Sequence, residues 1–466
     1  MWSFDKYSDN IAVIDDNGTS LSYSKLLSES LELYDHIGER CLVFVFCNNC
    51  IGSLLGYVTF INNRVVPLLI NADLNKDSID KLIQSYQPNY LWVPDLLSKQ
   101  YDYDKIYSKY GYSLLKACDK KIDLNEDLAL LLTTSGSTGS PKYVRQSYNN
   151  IESNTKSIVE YLKIEEMDRA ITTLPMNYTY GLSIINTHLY VGATILMTEK
   201  TILQREFWSF FKQNQATTFG GVPYTYEILH KLRFEKMVLP SLKYVTQAGG
   251  KLSKEMQKIF ASYSEDSGIK FVIMYGQCEA TARMSYLPSE KMTTHLGSIG
   301  IPIPGGKFVI VSDEGEEIKS PNSPGELEYI GPNVTMGYSV SKEDLIKGDE
   351  RTGVLLTGDI AQYDEDGYYY IVGRKKRFLK VFGNRVNLDE IEQLIKDRYV
   401  GIECAVAGTD DNIRIFVIGV NDKNDLRRYL SNKTGLNISA FSIITVEQIP
   451  KNDSGKVLYE ILNRDY

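Results

Sequence analysis

The densest group of residues able to do chemistry reads LLTTSGSTGSPK, from Leu131 to Lys142. Hydroxyls and glycines at this density suit a polyanion, because glycine lets successive backbone N–H groups converge and hydroxyls donate further hydrogen bonds. The same composition is also typical of a solvated turn. An apolar run (128–132) before it and a helical pattern from about Ser147 indicate strand, loop and helix, the layout of a phosphate site. It is not a Walker loop, since Tyr143 follows Lys142 where Ser or Thr is required.

Four later segments carry further reactive residues in a fixed order. They are MYGQCEAT (274–281), the LLTGD segment with Asp359 and Arg374, VFGNRVNLDEIE (381–392) and IPKNDSGK (449–456), which ends at Lys456. Each is weak alone, because Gly-Asp is usually a turn and a lysine near a C-terminus is usually a solvated charge. Taken together and in this order, the segments are a much stronger signal of function than any one of them alone.

The elements that must position these residues alternate between apolar β-type runs and helical patterns through most of the chain. This alternation predicts an α/β fold with parallel sheets, whose ligands lie at the carboxyl ends of strands. After Gly305 short strands with Gly/Pro turns predict a β-rich subdomain. From Val386 a compact β/α unit follows.

Composition narrows the possible functions. The chain has 466 residues, 43% hydrophobic, with a formal charge of −8, which argues against nucleic-acid or anionic-membrane partners. We find no apolar core of a signal peptide and no apolar run long enough to span a membrane, so we expect a cytoplasmic protein without stable membrane insertion.

Cys47 and Cys50 form a CxxC motif, for which two reduced, partly buried thiols are favoured over a redox pair or half of a zinc site. Four scattered histidines offer little for metal or Ser-His-Asp chemistry.

Six ordered blocks resemble the acyl-adenylate-forming superfamily, which includes acyl- and aryl-CoA synthetases, peptide-synthetase adenylation domains and beetle luciferase. The blocks are TTSGSTGSPK, YGQCE, GELEYIGPNVTMGY, LLTGD, GRKKRFLKVFGNRVNLDEIE and IPKNDSGK. The resemblance implies a large N-terminal domain (1–375) of two α/β sheets plus a β-rich subdomain. A small mobile C-terminal α+β domain (376–466) would follow, with a hinge near Lys376.

The resemblance also implies roles for individual residues. The ATP phosphates would be held by Thr134, Ser135, Gly136, Ser137, Thr138, Gly139 and Lys142. Adenine would stack on Tyr275 and be lined by Gly249 and Gly250, with Gly276, Gln277 and Cys278 also binding the nucleotide. Asp359 would bind the ribose hydroxyls beside Arg374. Glu279 would help hold Mg²⁺, and Lys456 would bridge the substrate carboxylate and the α-phosphate. Lys380 and Gly383 would serve the second half-reaction.

The implied function is that of an ATP- and Mg²⁺-dependent ligase that activates a carboxylic acid as an acyl-adenylate and releases pyrophosphate. The acyl group would then pass to the thiol of CoA or of phosphopantetheine on a separate carrier protein. A stand-alone amino-acid-activating enzyme is one alternative, and a non-catalytic nucleotide or acyl-adenylate sensor is a remote one.

Two positions depart from the family pattern. Cys278 stands where members usually carry Thr, so either Thr281 or a loop hydroxyl compensates, or turnover is modest. In the segment expected to set the substrate, this chain has Tyr178 and Tyr180 where acyl- and aryl-CoA synthetases often carry a His and an aromatic residue. With Gly220 and Gly221 these tyrosines would form an acid pocket that suits a small or hydroxylated acid. Core packing of the tyrosines is the alternative. A free amino acid is disfavoured, because the aspartate that would pair with its ammonium is absent.

Overall fold

A computed structural model describes residues 1–133, 142–381, 384–399, 401–409, 412–420, 422–451, 457–459 and 461–462. The strands of residues 1–133 are β1 (Ile11–Asp15), β2 (Ser20–Ser22), β3 (Leu42–Cys47), β4 (Val66–Asn71), β5 (Tyr90–Pro94), β6 (Asp104–Lys109), β7 (Tyr112–Lys116) and β8 (Leu128–Thr133). The helices of this part are α1 (Tyr23–Asp35), α2 (Ile51–Asn62), α3 (Lys76–Tyr86) and α4 (Asp95–Ser98).

The middle of the chain continues the alternation of strands and helices. Its elements are β9 (Tyr143–Ser147), α5 (Tyr148–Leu162), β10 (Arg169–Ile171), α6 (Thr179–Val191), β11 (Thr194–Met197), α7 (Arg205–Gln213), β12 (Thr218–Gly221), α8 (Pro223–Lys231), β13 (Tyr244–Gln247), α9 (Lys254–Ser267), β14 (Lys270–Tyr275), β15 (Ser285–Leu287), β16 (Ile301–Pro302) and β17 (Lys307–Val311).

The remaining part is rich in short strands and ends in a β/α unit. Its elements are β18 (Gly325–Ile330), β19 (Gly337–Ser339), β20 (Val354–Tyr363), β21 (Tyr369–Arg374), β22 (Phe378–Val381), β23 (Asn384–Asn387), α10 (Leu388–Arg398), β24 (Cys404–Thr409), β25 (Asn412–Val417), α11 (Lys423–Thr434) and β26 (Phe441–Thr445).

Two large mixed sheets contain strands β1 to β16 together with β19. One has eight strands in the order β19-β9-β8-β4-β3-β5-β7-β6, and the other has nine in the order β16-β15-β14-β13-β12-β10-β11-β1-β2. Helix α2 is apolar on all sides and buried from Ile51 to Ile61, so it forms part of the core rather than an amphipathic cover. The predicted α/β fold is confirmed.

Strands β8 and β9, on either side of the glycine-rich loop in the sequence, form an antiparallel pair. This arrangement corrects one expectation. The sequence predicted strand, loop and helix, but residues Tyr143–Ser147 form strand β9, antiparallel to β8, before helix α5 begins. All five residues of β9 are buried between β8 and β19, which explains why they are extended. The helix start was predicted correctly, because the side chains of Ser147 and Asn150 each accept a hydrogen bond from the other's backbone N–H.

The chain divides into two compact units. The first contains residues 1–308 and 329–355, and the second contains 309–328 and 356–466. The second unit includes the three-stranded sheet β24-β25-β26, which packs with α10 and α11 around a core of its own. A hinge near Lys376 remains a prediction. In the described part of the chain, every helix is too short or too polar to cross a membrane.

Candidate active site

Three adjacent strand ends of the nine-stranded sheet bring together residues that are distant in sequence. Strands β12, β13 and β14 run parallel as neighbours, so their carboxyl ends share one edge. Gly220 and Gly221 end β12, Gly249 and Gly250 follow β13, and Tyr275 ends β14. The residues expected to line the acid and adenine pockets are therefore neighbours at this edge.

Gly249 and Gly220 have no room for a side chain. A Cβ atom on Gly249 would lie 2.5 Å from the Tyr178 hydroxyl oxygen, and Gly249 has a φ of +83°. A Cβ on Gly220 would lie 2.8 Å from the Tyr180 hydroxyl oxygen. The two tyrosines thus lie directly against the glycine backbone, with their rings edge to face at a centroid distance of 6.3 Å.

The two tyrosines differ in burial. Tyr180 is buried, and its hydroxyl donates to the Thr246 carbonyl at 2.8 Å, while burial raises the pKa of Tyr180 to about 12. Tyr178 is half-buried, and burial also raises its pKa. Tyr180 therefore belongs to the core, as one of the two interpretations expected, and it lies against Gly220; its role in an acid pocket stays a prediction.

The YGQCE segment turns sharply after β14. Gly276 lies so close to the Ala282 carbonyl that a Cβ would be 1.8 Å from its oxygen. The Gln277 amide donates to the Tyr275 hydroxyl at 3.3 Å, and the Tyr275 ring lies 6.4 Å from that of Phe308. Cys278 is buried, and Glu279 follows it in a single turn of 3₁₀-helix.

Thr281 adopts an unusual backbone conformation for a β-branched residue, with a φ of +66°. Its hydroxyl donates to the Asn333 carbonyl at 2.6 Å, and its own carbonyl accepts a hydrogen bond from the Thr179 hydroxyl. Because its single hydroxyl proton is already used, Thr281 cannot donate to a phosphate in this conformation. Of the alternatives stated for the missing Thr hydroxyl at Cys278, compensation by a loop hydroxyl and modest turnover both remain.

Glu279 lies in a cluster of charged and aromatic groups. Its carboxylate accepts a hydrogen bond from the Tyr338 hydroxyl at 2.7 Å, and its backbone carbonyl accepts one from Arg351 at 3.1 Å. The Arg351 guanidinium lies 4.6 Å from the Tyr338 ring centroid, and the Lys142 ammonium lies 5.8 Å from it. Burial, followed by the charge of Glu279, raises the pKa of Tyr338. Two cations and a carboxylate so arranged can accommodate phosphate and a hard cation.

Sequence reasoning missed Tyr338 and Arg351. Tyr338 is the final residue of the block GELEYIGPNVTMGY, so a signal existed, although nothing in the block connects it to Glu279. Arg351 follows in an Asp-Glu-Arg-Thr segment that looks like a solvated turn.

Asp359 and Arg374 lie in the second unit, directly opposite each other on strands β20 and β21. Arg374 Nε lies 3.1 Å from Asp359 Oδ1; Asp359 is buried and Arg374 is exposed. The two residues expected at the ribose are therefore a pair, although they are fifteen positions apart.

The expected hinge residue lies between two anchored neighbours. Lys375 Nζ lies 2.7 Å from Glu326 Oε2, whereas Arg377 donates to Glu392 at 2.7 Å and lies 3.8 Å from the Tyr459 ring centroid. Lys376 is exposed and makes no ion pair or hydrogen bond with the described residues. Two hydrogen bonds cross this position, from Arg374 N–H to Asp389 Oδ2 at 3.3 Å and from Asn387 Nδ2 to the Val372 carbonyl at 3.0 Å, so rotation at Lys376 would have to break them.

Several expected site residues lie outside the described residues, namely Thr134, Ser135, Gly136, Ser137, Thr138, Gly139, Gly383 and Lys456. Lys380 lies on β22 with its backbone opposite Arg385. The described residues contain no cluster of three or more His, Cys, Asp or Glu side chains suited to a metal ion.

Comparison with known proteins now identifies the family. The sequence pattern that defines the AMP-binding enzyme family matches residues 2–339. The chain belongs to the AMP-binding enzyme family. It is 28% identical over 368 residues to an oxalate–CoA ligase of Arabidopsis thaliana, covering 76% of this chain and 70% of that protein. It is 29% identical over 300 residues to a long-chain-fatty-acid–CoA ligase of Bacillus subtilis, covering 63% and 52%. The chain spans between about half and 70% of the length of these curated relatives.

Solved structures support the same fold for this member of the AMP-binding enzyme family. O-succinylbenzoate CoA synthetase of Bacillus subtilis, in complex with ATP and magnesium ion, superposes with a TM-score of 0.80 at 20% identity, covering 98% of this chain and 97% of that one. McyG A-PCP complexed with phenylalanyl-adenylate gives a TM-score of 0.75 at 18% identity, covering 99% and 81%. The predicted resemblance and fold are confirmed.

Proposed function

We propose that this chain is an ATP-dependent ligase that joins a carboxylic acid to AMP, releases pyrophosphate and passes the acyl group to a thiol. One observation carries the proposal. Tyr275, Gly249 and Glu279 lie around the carboxyl ends of adjacent strands, and Lys142 and Arg351 flank the Tyr338 ring that contacts Glu279. An aromatic surface beside glycines suits a base, and the two cations suit its phosphates.

The reaction requires an anion to attack an anion. A substrate carboxylate oxygen attacks the α-phosphorus, the bond to pyrophosphate breaks, and a mixed anhydride forms. Lys142 and Arg351 would hold phosphate oxygens, and Asp359 would accept hydrogen bonds from the ribose hydroxyls. The Glu279 carboxylate suits Mg²⁺, which when bound supplies neutralisation of phosphate charge. We assign the cation at the reacting carboxylate to Lys456, on the resemblance alone.

CoA is the favoured acceptor, because the relatives reported above are named CoA ligases. Phosphopantetheine on a carrier protein is the second possibility, and the two are distinguished by supplying each thiol to enzyme that holds a preformed adenylate. A cytoplasmic location stays a prediction from composition.

The proposal is tested by measuring pyrophosphate release from ATP and Mg²⁺ with a panel of carboxylic acids. We expect acid-dependent release and, with CoA, formation of a thioester. Lys456→Ala should lower adenylate formation by at least about a hundredfold, whereas a supplied acyl-adenylate should still react with thiol. Silence across a broad panel would favour the nucleotide-sensor alternative.

A further inference from the structure

A single buried arginine anchors the chain segment that carries Tyr338 and leads to Arg351. Arg145 lies on β9, and its side chain is fully buried. Its guanidinium donates five hydrogen bonds, as many as it has N–H groups, and every acceptor lies between residues 336 and 350. The acceptors are the carbonyl oxygens of Met336, Tyr338, Lys347 and Gly348 and the carboxylate of Glu350. One planar group therefore holds both ends of this segment.

A lysine could not make the same contacts. Its ammonium has three N–H groups and no planar fork, so at least two of the five acceptors would lose their donor. Because Arg145 is inaccessible to solvent, water would not readily replace the missing donors, and unpaired buried carbonyls are costly. The charge of Arg145 is met by Glu350, whose side chain is 52% exposed.

Gly337 fits the segment to this ion pair. It lies opposite Arg145 in the pairing of β19 with β9, and its φ of +132° favours glycine. A Cβ atom on Gly337 would lie 2.4 Å from Glu350 Oε2 and 2.8 Å from Arg145 Nη2. A side chain at this position would therefore push the guanidinium and the carboxylate apart.

The anchored segment carries the two contacts to Glu279. Tyr338, whose carbonyl accepts from Arg145 at 3.0 Å, donates its hydroxyl to the Glu279 carboxylate at 2.7 Å. Arg351, the neighbour of Glu350, donates to the Glu279 carbonyl at 3.1 Å and lies 4.6 Å from the Tyr338 ring centroid. Each contact is thus made by a residue that Arg145 binds or by the residue next to one.

Resting on the proposed function, we propose that Arg145 is a positioning residue for the nucleotide and Mg²⁺ side of the active site. It fixes the backbone so that Tyr338 lies against Glu279 and Arg351 is held where phosphate oxygens would bind. An error of about 1 Å in such positioning costs about a hundredfold in rate. The acid pocket is expected at strand ends of the other large sheet, so loss of Arg145 should weaken ATP binding and spare acid binding.

The test measures pyrophosphate release with MgATP and acid varied in turn, and the Kd for MgATP without acid. We expect Arg145→Lys to raise both the KM and the Kd for MgATP by about tenfold, the effect of losing about one or two hydrogen bonds. The KM for the acid should stay unchanged. A merely structural role would lower stability to urea and the active fraction without moving the KM for MgATP alone.

Arg40→Lys is the matched control. Arg40 also donates to several backbone carbonyl oxygens, among them those of Arg64 and Asn125, in a part of the chain without expected site residues. This variant should lower stability to urea and leave the KM for MgATP and for the acid unchanged.

Glu350→Gln is a milder second variant. Its amide oxygen can still accept a hydrogen bond from Arg145, but the bond loses the contribution of the carboxylate charge. We expect a rise of about threefold in the KM and Kd for MgATP, again without a change in the KM for the acid.

Each outcome decides the proposal. An unchanged KM for MgATP in Arg145→Lys, or an equal rise in the KM for the acid, would overturn it and leave the ligase function standing. If Arg145→Lys does not fold, an unchanged KM for MgATP in Glu350→Gln would do the same. Wild-type protein that binds MgATP but releases no pyrophosphate with any acid would count against the ligase function alone, because the Kd for MgATP would still decide the role of Arg145. Wild-type protein that does not bind MgATP would overturn both.

Discussion

The contact between Gly249 and Tyr178 offers a sharp test of the pocket geometry. In Gly249→Ala the new Cβ would lie 2.5 Å from the Tyr178 hydroxyl oxygen, closer than real Cβ contacts, at a φ of +83°. The positive φ costs an L-residue about 1–2 kcal/mol, and overpacking adds about 1–3 kcal/mol.

Two further variants separate these contributions. Gly268→Ala measures the backbone cost alone, because Gly268 has a φ of +72° and nothing within 4 Å of its Cβ position. Tyr178→Phe removes the clashing oxygen and leaves the Tyr178 Cζ position 3.7 Å away, an ordinary contact, while Val222 Cγ1 stays 3.1 Å from the new Cβ. The double variant Gly249→Ala/Tyr178→Phe should therefore recover the part of the overpacking cost that comes from Tyr178.

Urea unfolding gives the stability changes, and adenylate formation gives KM for the acid. We expect Gly249→Ala to destabilise more than Gly268→Ala and to raise KM for the acid, whereas Gly268→Ala leaves KM unchanged. Equal destabilisation by Gly249→Ala in the wild-type and Tyr178→Phe backgrounds would refute the contact. An unchanged KM for the acid would refute the position of Tyr178, the residue that Gly249 contacts, in the acid pocket.

Three further predictions concern the proposed catalytic cycle. Lys376→Pro should spare one half-reaction and impair the other, because proline fixes φ where rotation is expected, while Lys376→Ala spares both; equal loss of both in Lys376→Pro would contradict the hinge. Glu279→Gln should lower adenylate formation about a hundredfold and raise the Mg²⁺ requirement, whereas Tyr338→Phe, which removes one hydrogen bond from Glu279, should cost less than about tenfold; an unaltered Mg²⁺ titration in Glu279→Gln would exclude metal binding there. Cys278→Thr should be as active as the wild type or faster in the same assay, and complete inactivation would show that the buried thiol has a specific role.

The strands that carry the site could be predicted because each is a short apolar run ending in glycine, proline or a hydroxyl residue. Runs such as ATTFGGVP and KYVTQAGG became β12 and β13 with their glycines at one edge. The segment after the glycine-rich loop was harder to predict as a strand. Tyr143–Ser147 is too short, and its apolar and polar residues too irregular, to show the alternation typical of a strand. Its extended form depends on pairing with β8 and β19, which is tertiary information.

The surroundings of Glu279 could not be predicted from local sequence. Tyr338 and Arg351 come from segments about 60 and 70 residues further along the chain, and only the folded backbone brings them to the carboxylate. The unusual φ of Thr281 has the same origin, since hydrogen bonds to Asn333 and Thr179 hold it and neither partner is a sequence neighbour. Family resemblance predicts the reacting groups but not the residues that support them.

The chain changes unit three times, between residues 308 and 309, 328 and 329, and 355 and 356. After a single cut at any of these points, at least one uncut crossing still joins a segment of the first unit to a segment of the second. Because the two segments of each unit also pack together, the nicked protein should migrate as one species under native conditions. Exchange of the second unit between relatives likewise needs three junctions, because a fragment that starts at Leu356 lacks residues 309–328.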